Sequence, residues 1–345
     1  MSRVLLVHDR FHPDSGGGGE YVVLRRAEYL AQAGIDVEVI CAGDPETPQP
    51  GAYHVERIKT SRKTFVLAAP RIIKAARTCD LIHSFPYNAT LPATVAARVT
   101  GKPLVIEQLA LFGSAWRVSH PGWKGKVLQR AEKMLLQLPA DGRVFLSPFS
   151  KNLATLVDAR VNGDVIAPGI DPDPVLLAAS EKNARVMFAG KFTQRKGIDR
   201  VIEVAKAMPD VAFDAVGWGG GFADFEIPPN LQVIEARGKA YKELLAAAPI
   251  LLLPSRAETF GLVIYEAMQA ACSIVSTIPG DYAGEMMSEW TTETACRAIS
   301  DRLASPDKIR REGADNRNRV ARLTWEENTR QTLELYKRIN PKAFS

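Results

Sequence analysis

The sequence predicts an α/β protein built from two doubly wound units, each a parallel sheet with helices packed on both faces. Three observations predict it. Strand-like and helix-like segments alternate along the chain, as parallel sheets with crossover helices require. The alternation stops and restarts once. A stretch with three prolines and a glycine, Ala167-Pro168-Gly169-Ile170-Asp171-Pro172-Asp173-Pro174, separates the two series and reads as a linker. The length of 345 residues suits two domains of about 150–200 residues each. The expected boundaries are 1–168, 169–323 and a terminal segment, 324–345.

In the first series, strands are expected at Val4–Val7, Val37–Ile40, Leu81–Ser84, Leu104–Ile106 and Arg143–Leu146. A helix spans Glu20–Ala33 and stops at Gly34, a residue that ends helices readily. In the second series, strands are expected at Arg185–Ala189, Ala212–Val216, Leu231–Glu235, Ile250–Leu253 and Ser273–Ser276. Helices fall at Gly197–Met208, Tyr241–Ala248 and Leu262–Ala270. The last helix starts at Thr324-Trp325-Glu326-Glu327, the pattern of a capping box.

Composition fits a globular protein, with 46% apolar and 24% charged residues. The four cysteines, Cys41, Cys79, Cys272 and Cys296, show neither metal-type nor redox spacing. Reduced core thiols point to a cytoplasmic location. The chain enters its first strand at once, without a signal-peptide pattern. The longest apolar run, Leu244 to Leu253, is interrupted by Pro249 and is too short to span a bilayer.

The net charge of +5 is unevenly placed: residues 1–170 carry 21 Lys/Arg against 15 Asp/Glu. One basic group is Arg57, Lys59, Arg62, Lys63, Arg71, Lys74 and Arg77, around Phe65-Val66-Leu67. Another is Arg117, Lys124, Lys126, Arg130 and Lys133, interleaved with Trp116 and Trp123. Basic residues beside exposed aromatics suit an anionic membrane surface as partner. An ordinary solvated face is the alternative. No nucleic-acid motif accompanies the charge, so nucleic acid is not an expected partner.

Three segments carry candidate chemistry. The loop after the first strand ends in Gly16-Gly17-Gly18-Gly19, ahead of a helix whose amides favour an anion. Its spacing fits neither Gly-x-Gly-x-x-Gly nor a Walker loop. Asp44 is poorly placed as the acid of a dinucleotide fold, and a flexible loop explains the glycines equally well. The second segment, Gly190-Lys191-Phe192-Thr193-Gln194-Arg195-Lys196-Gly197, joins a strand to a helix. Arg195 and Lys196 there suit a diphosphate and the charge on a leaving nucleotide. The third runs from Ser255 to Met268. It puts Glu258 in a loop after a strand and Glu266 about one turn into an apolar helix, at the sheet end where open α/β folds bind ligands. Two solvated acids at a helix start are the plain alternative, and the Gly190 segment upstream weighs against it.

Together these residues resemble retaining glycosyltransferases of the GT-B fold, family 4, over nearly the whole chain. The resemblance rests on Gly16–Gly19 with Glu20, Asp80-Leu81-Ile82-His83, Gly190–Gly197, Gly217-Trp218-Gly219, Glu258–Glu266, Pro279-Gly280 through Glu285, and Trp325 with Tyr336. It implies two Rossmann-like domains facing a cleft, with the C-terminal helix crossing back to the N-terminal domain. It also implies that Glu266 binds the ribose hydroxyls, Glu258 orients the donor sugar, and Arg195 and Lys196 bind the diphosphate. Gly190, the backbone near Phe260, Gly261 and Leu262, and Gly18 and Gly19 complete the donor site. No metal and no cofactor are expected beyond the donor substrate, a UDP- or GDP-linked sugar.

Two departures from the family pattern fall on the acceptor side. Where the family often has a histidine after the strand Leu104–Ile106, this chain has Gln108 or a neighbour. His83 is followed two residues later by Phe85 in place of a second histidine, and a packed strand-end role competes with an acceptor-side one. The leading reading is hexose transfer, with retention, to a hydroxyl on a cell-envelope glycan or lipid-linked acceptor. The enzyme would be cytoplasmic or peripheral on the inner membrane face. The alternatives are a catalytically weak or inactive nucleotide-sugar-binding protein of the same fold, and a nicotinamide-dependent oxidoreductase using the glycine loop.

Overall fold

The computed structural model describes residues 2–13, 17–49, 51–178, 181–222 and 225–344. Gly16 of the glycine run lies outside the described residues. Two compact units emerge: Met1–Gly113 with Lys126–Gly169 and Thr324–Ser345, and Ser114–Gly125 with Ile170–Leu323. The sequence reading places residues 114–125 in the first domain, whereas their contacts group them with the second unit. Local patterning carries no signal for such a grouping.

In the first unit, seven strands form one parallel sheet: β1 (Arg3–Val7), β2 (Asp36–Ala42), β3 (His54–Ile58), β4 (Leu81–Ser84), β5 (Leu104–Gln108), β6 (Gly142–Phe145) and β7 (Asp164–Val165). Their order is β3-β2-β1-β4-β5-β6-β7, so the winding reverses between β1 and β4. Val4 to Val7 have no exposure, as expected of a strand covered on both faces. β3 and β7 escaped the sequence reading. β3 carries exposed His54 and polar Glu56 on the sheet edge, and β7 has only two residues.

The last helix, Trp325–Ile339, belongs to this unit. The Thr324 hydroxyl accepts from Glu327 N at 3.2 Å, which is half of the expected capping box. The other half is absent because the Glu327 carboxylate binds Arg330 and Gln331. A buried polar network fixes this helix to the sheet. Arg26 bonds both oxygens of Glu107, at 2.8 and 2.9 Å, and donates to Asn328 and Thr332. Glu107 also meets His83 Nε2 at 3.1 Å, and His83 Nδ1 lies 2.5 Å from the Tyr336 hydroxyl.

In the second unit, six strands form another parallel sheet: β8 (Arg185–Lys191), β9 (Ala212–Trp218), β10 (Leu231–Glu235), β11 (Ile250–Leu253), β12 (Ser273–Ser276) and β13 (Gly284–Met286). The order is β10-β9-β8-β11-β12-β13, reversing between β8 and β11. Leu251 and Leu252 are fully buried, while β13 is short and exposed. Both units are therefore doubly wound and Rossmann-like.

In the first basic group, Arg57 is buried and donates to His12 O at 2.9 Å, and Phe65 is fully buried, whereas Lys59, Arg62, Lys63, Arg71, Lys74 and Arg77 are exposed with Val66 and Leu67; Arg62 pairs with Asp9 and Arg71 with Glu56. Cys41, Cys79 and Cys272 are buried and Cys296 half-buried, and none of the four is in a disulfide. Among the described residues, no helix is long and apolar enough to cross a membrane.

Candidate active site

The second sheet creates a ligand crevice where its winding reverses. Helices leave neighbouring strands in opposite directions at such a point, and open α/β sheets bind ligands at its carboxyl end. The strands flanking it are β8 and β11, paired through Val186–Ile250 and Met187–Leu251. The Arg195–Lys196 segment follows β8, and the Glu258–Glu266 segment follows β11. The fold thus brings together two motifs some sixty residues apart in sequence.

The β8 loop closes into a short turn, Gln194–Lys196, whose start is capped by Thr193 Oγ1 accepting from Lys196 N at 3.3 Å. Gly197 ends the turn at φ 81°, where any Cβ would stand 2.2 Å from Pro254 O. Only glycine lets this turn lie so close to the β11 loop. The loops are also laced by hydrogen bonds. Arg256 N donates to Arg195 O at 2.8 Å, and Arg195 Nη1 donates to Ala257 O at 2.9 Å. Gly190, near the end of β8, has φ 145° and a carbonyl against which Gly217 packs.

Lys196 and Arg195 face one carboxylate. The Lys196 ammonium lies directly against Glu258 Oε1, and Arg195 Nη1 is 3.9 Å from the same oxygen. Burial drives the Lys196 ammonium down to about 7, and the Arg195 charge pushes the same way. Lys196 is thus a largely buried cation with the Glu258 carboxylate as its contact.

The β11 loop runs into the helix Leu262–Gln269 through Gly261, at φ 74° and with no side-chain cap. The uncapped start leaves amide donors near Leu262 for an anion. Phe260 is buried and stacks on Tyr265, with ring centroids 4.2 Å apart. Glu266 Oε2 accepts from the Tyr241 hydroxyl at 2.6 Å. Burial raises the Glu266 carboxyl above its ordinary value, while Tyr241 and Lys242 pull it back.

In the first unit, Gly18 and Gly19 begin the helix Gly18–Gln32, which also lacks a side-chain cap. Gln108 closes β5, buried and paired with Phe145. His83 is fully buried between Glu107 and Tyr336 and stacks on Phe85 with centroids 4.8 Å apart. It presents no surface to a ligand, and burial lowers its pKa despite the Glu107 carboxylate. At the end of β1, fully buried Asp9 accepts from Arg62 Nε at 2.9 Å and from Asn88 Nδ2.

Sequence reasoning missed the partners made by Tyr241, Arg256 and Arg237 in the second unit. Tyr241, the partner of Glu266, comes from the helix Gly238–Ala247 and carries no motif. Arg256 makes two bonds to Asp199, at 2.7 and 2.6 Å, bracing the β11 loop on the helix after β8. Its place two residues before Glu258 was the available signal. Arg237 covers the Trp218 ring at 4.7 Å from the centroid, just past the ends of β9 and β10.

Comparison with known proteins agrees with this architecture. The model of Glycosyltransferase Family 4 matches residues 16–174, and that of Glycosyl transferases group 1 matches residues 173–297. The alpha-maltose-1-phosphate synthase of Mycolicibacterium smegmatis is 23% identical over 98% of this chain and 100% of its own length. The sucrose-phosphate synthase of Thermosynechococcus elongatus superposes with a TM-score of 0.79 at 19% identity, covering 98% of this chain and 99% of that one. Anabaena HepE in complex with UDP-glucose superposes with a TM-score of 0.77 at 17% identity, covering 98% and 100%. Two parallel Rossmann-like sheets, paired cationic and acidic loops at a reversal point, and two family models that abut along the sequence identify the chain as a member of the family 4 glycosyltransferases of the GT-B fold.

Proposed function

We propose that this glycosyltransferase moves a hexose from a nucleoside diphosphate sugar to a hydroxyl acceptor with retention of configuration. The observation that carries the reading is the convergence of Arg195, Lys196, Glu258 and Glu266 on the strand ends β8 and β11. A nucleotide sugar needs cations for its diphosphate, and carboxylates for the diol of the ribose and the hydroxyls of the sugar. In this reading Glu266 accepts from the ribose, Glu258 from the sugar, and Arg195 and Lys196 hold the diphosphate, assisted by backbone amides at Phe260 to Leu262 and by Gly190. UDP-linked glucose is the favoured donor, because HepE is similar to this chain and holds UDP-glucose.

In the reaction, the bond from the anomeric carbon to the diphosphate oxygen breaks, and a bond to the acceptor oxygen forms on the same face. The acceptor's proton passes to the departing phosphate. Lys196 and Arg195 stabilise the charge that grows on that phosphate, so no divalent cation is required. The basic first half of the chain supports an acceptor at the cytoplasmic face of the membrane, a glycan or lipid-linked intermediate of the cell envelope.

The test is nucleotide release from a panel of UDP- and GDP-sugars with a chelator present, followed by the anomeric configuration of the product. Release from one donor with a retained anomer supports the reading. Donor binding without turnover on any acceptor overturns it in favour of a binding protein, and an inverted product overturns retention.

A further inference from the structure

From Ile170 onward the linker belongs to the second unit, and the helix that carries Glu266 grips it there. Gln269, the last residue of the helix Leu262–Gln269, is 4% exposed and bonds the linker twice. Its Oε1 accepts from Asp173 N at 2.8 Å, and its Nε2 donates to Asp171 O at 2.9 Å. Asp173 divides its carboxylate between two tasks. Oδ1 caps the short helix Pro174–Leu177, accepting from Val175 N at 2.9 Å and Leu176 N at 3.3 Å, while Oδ2 pairs with the Lys242 ammonium. Lys242 follows Tyr241, whose hydroxyl donates to Glu266 at 2.6 Å. Linker, Lys242, Tyr241 and the Glu266 helix thus close into one circuit.

The circuit sets opposite charges around Glu266. Burial raises the Glu266 carboxyl, Tyr241 and Lys242 lower it, and Asp173 raises it again. Burial would raise Asp173 too, but Lys242 and the two capped amides hold it below its ordinary value. The strands packed on the Glu266 helix, β11 and β12, carry no charged residue. From the packed helix Pro306–Val320, Arg317 donates to the carbonyls of Gln269 and Leu176.

We propose that Lys242 and Asp173 are positioning residues for donor binding: their ion pair fixes Tyr241 and the linker around Glu266 and balances the field in which that carboxylate meets the ribose hydroxyls. The inference rests on the reading of Glu266 as the ribose acceptor, and both residues act through Glu266 without touching the donor. An ionised carboxylate accepts from both hydroxyls of a diol, so whatever moves the Glu266 titration moves the acid limit of donor binding. The two partners act with opposite sign. Removing the Lys242 cation leaves Asp173 uncompensated and disfavours the Glu266 charge. Removing the Asp173 charge leaves Lys242 to Glu266 and favours it. An ion pair that only held two elements together would give the same loss from either side.

The experiment uses the full chain and four variants: Lys242→Gln, Asp173→Asn, the two combined, and Lys242→Arg. Asparagine retains an oxygen for the cap, so Asp173→Asn removes the charge and keeps the helix start. One readout is the carbon NMR titration of the Glu266 carboxyl without nucleotide, assigned by its absence in Glu266→Gln. The other is calorimetric affinity for UDP and GDP from neutral to acidic pH. The Glu266 titration should move to higher pH in Lys242→Gln and to lower pH in Asp173→Asn, each by on the order of half a pH unit. The combined variant should lie near the wild type, and Lys242→Arg should match it. On the acid limb, nucleotide affinity should fall about threefold in Lys242→Gln and rise about threefold in Asp173→Asn. Carboxyl shifts that are absent, or of one sign in both single variants, overturn the proposal and leave the ribose reading standing. Opposite shifts that nucleotide affinity ignores overturn the ribose reading and the donor role built on it.

Discussion

Lys196 and Glu258, brought together from loops after two neighbouring strands, lie in direct contact. The cation proposed for the diphosphate and the carboxylate proposed for the sugar are one ion pair. Donor binding must therefore exchange this pair for two new contacts, one at each end of the diphosphate-sugar linkage. Arg195, 3.9 Å from the same carboxylate, keeps a positive charge beside Glu258 while that exchange takes place.

If Lys196 holds the diphosphate as proposed, it sets the pH dependence of donor binding. Its folded pKa is lowered to about 7, so the free protein loses the ammonium as pH rises through neutrality. A bound diphosphate restores the proton. UDP affinity should fall above about pH 7, approaching tenfold per pH unit, with proton uptake visible in calorimetry across buffers of different ionisation enthalpy. Lys196→Arg should flatten that limb, because a guanidinium stays charged. Lys196→Ala should also slow turnover about tenfold or more, since it acts on charge developing in the transition state. A wild-type rate in Lys196→Ala removes the residue from the mechanism.

Tyr241→Phe removes the hydroxyl that donates to Glu266 at 2.6 Å. Donor affinity should drop by about 1 kcal/mol, the scale of one such bond. The acid side should move as well. The Glu266 carboxyl is already raised by burial, and losing the Tyr241 donor raises it further. Affinity in the variant should therefore begin to fail at a higher pH than in the wild type as the solution is acidified. UDP titrations at a series of pH values read both effects, and superimposable profiles would contradict the pairing.

Glu107→Ala strands the fully buried Arg26 guanidinium. Breaking one partner of a buried pair costs about 3–5 kcal/mol, and urea unfolding of the variant measures it. The sign of the pH effect follows from the same network. Burial alone would raise the Glu107 carboxyl, but Arg26 and His83 hold it low. Its stabilisation is present above the ordinary carboxylate range and is lost as pH falls through the lowered value. His83 is held neutral by burial, so acidification below its ordinary value favours the unfolded chain, which takes the proton. Stability should decline as pH drops below about 6.5, and His83→Gln should make that decline shallower.

The placement of the two charged segments in the second unit was legible because its signals are local. Gly190 to Gly197 and Glu258 to Glu266 each sit at a strand-to-helix junction, where a residue type and its place in the loop state the chemistry together. The alternation of strands and helices predicts a parallel sheet, whereas the winding reversal between β8 and β11 is seen only in the strand order. Tyr241 was not legible, since its meeting with Glu266 depends on how two helices pack. A packed role for His83 was legible at its strand end, but its network with Arg26, Glu107 and Tyr336 was hidden because the members lie as much as 310 residues apart. The capping box at Thr324 was half legible: the threonine caps, but Glu327 prefers Arg330, a competition that local spacing does not reveal.

The central claim is that Glu266 and its neighbours bind a nucleoside diphosphate, and calorimetric titration of UDP and GDP into the wild type and Glu266→Ala tests it most directly. The account predicts saturable binding of one nucleotide by the wild type and a loss of roughly 1.5–3 kcal/mol in the variant, as charged hydrogen bonds to the ribose diol disappear. Equal affinity in the two proteins, or binding of neither nucleotide by the wild type, would contradict it.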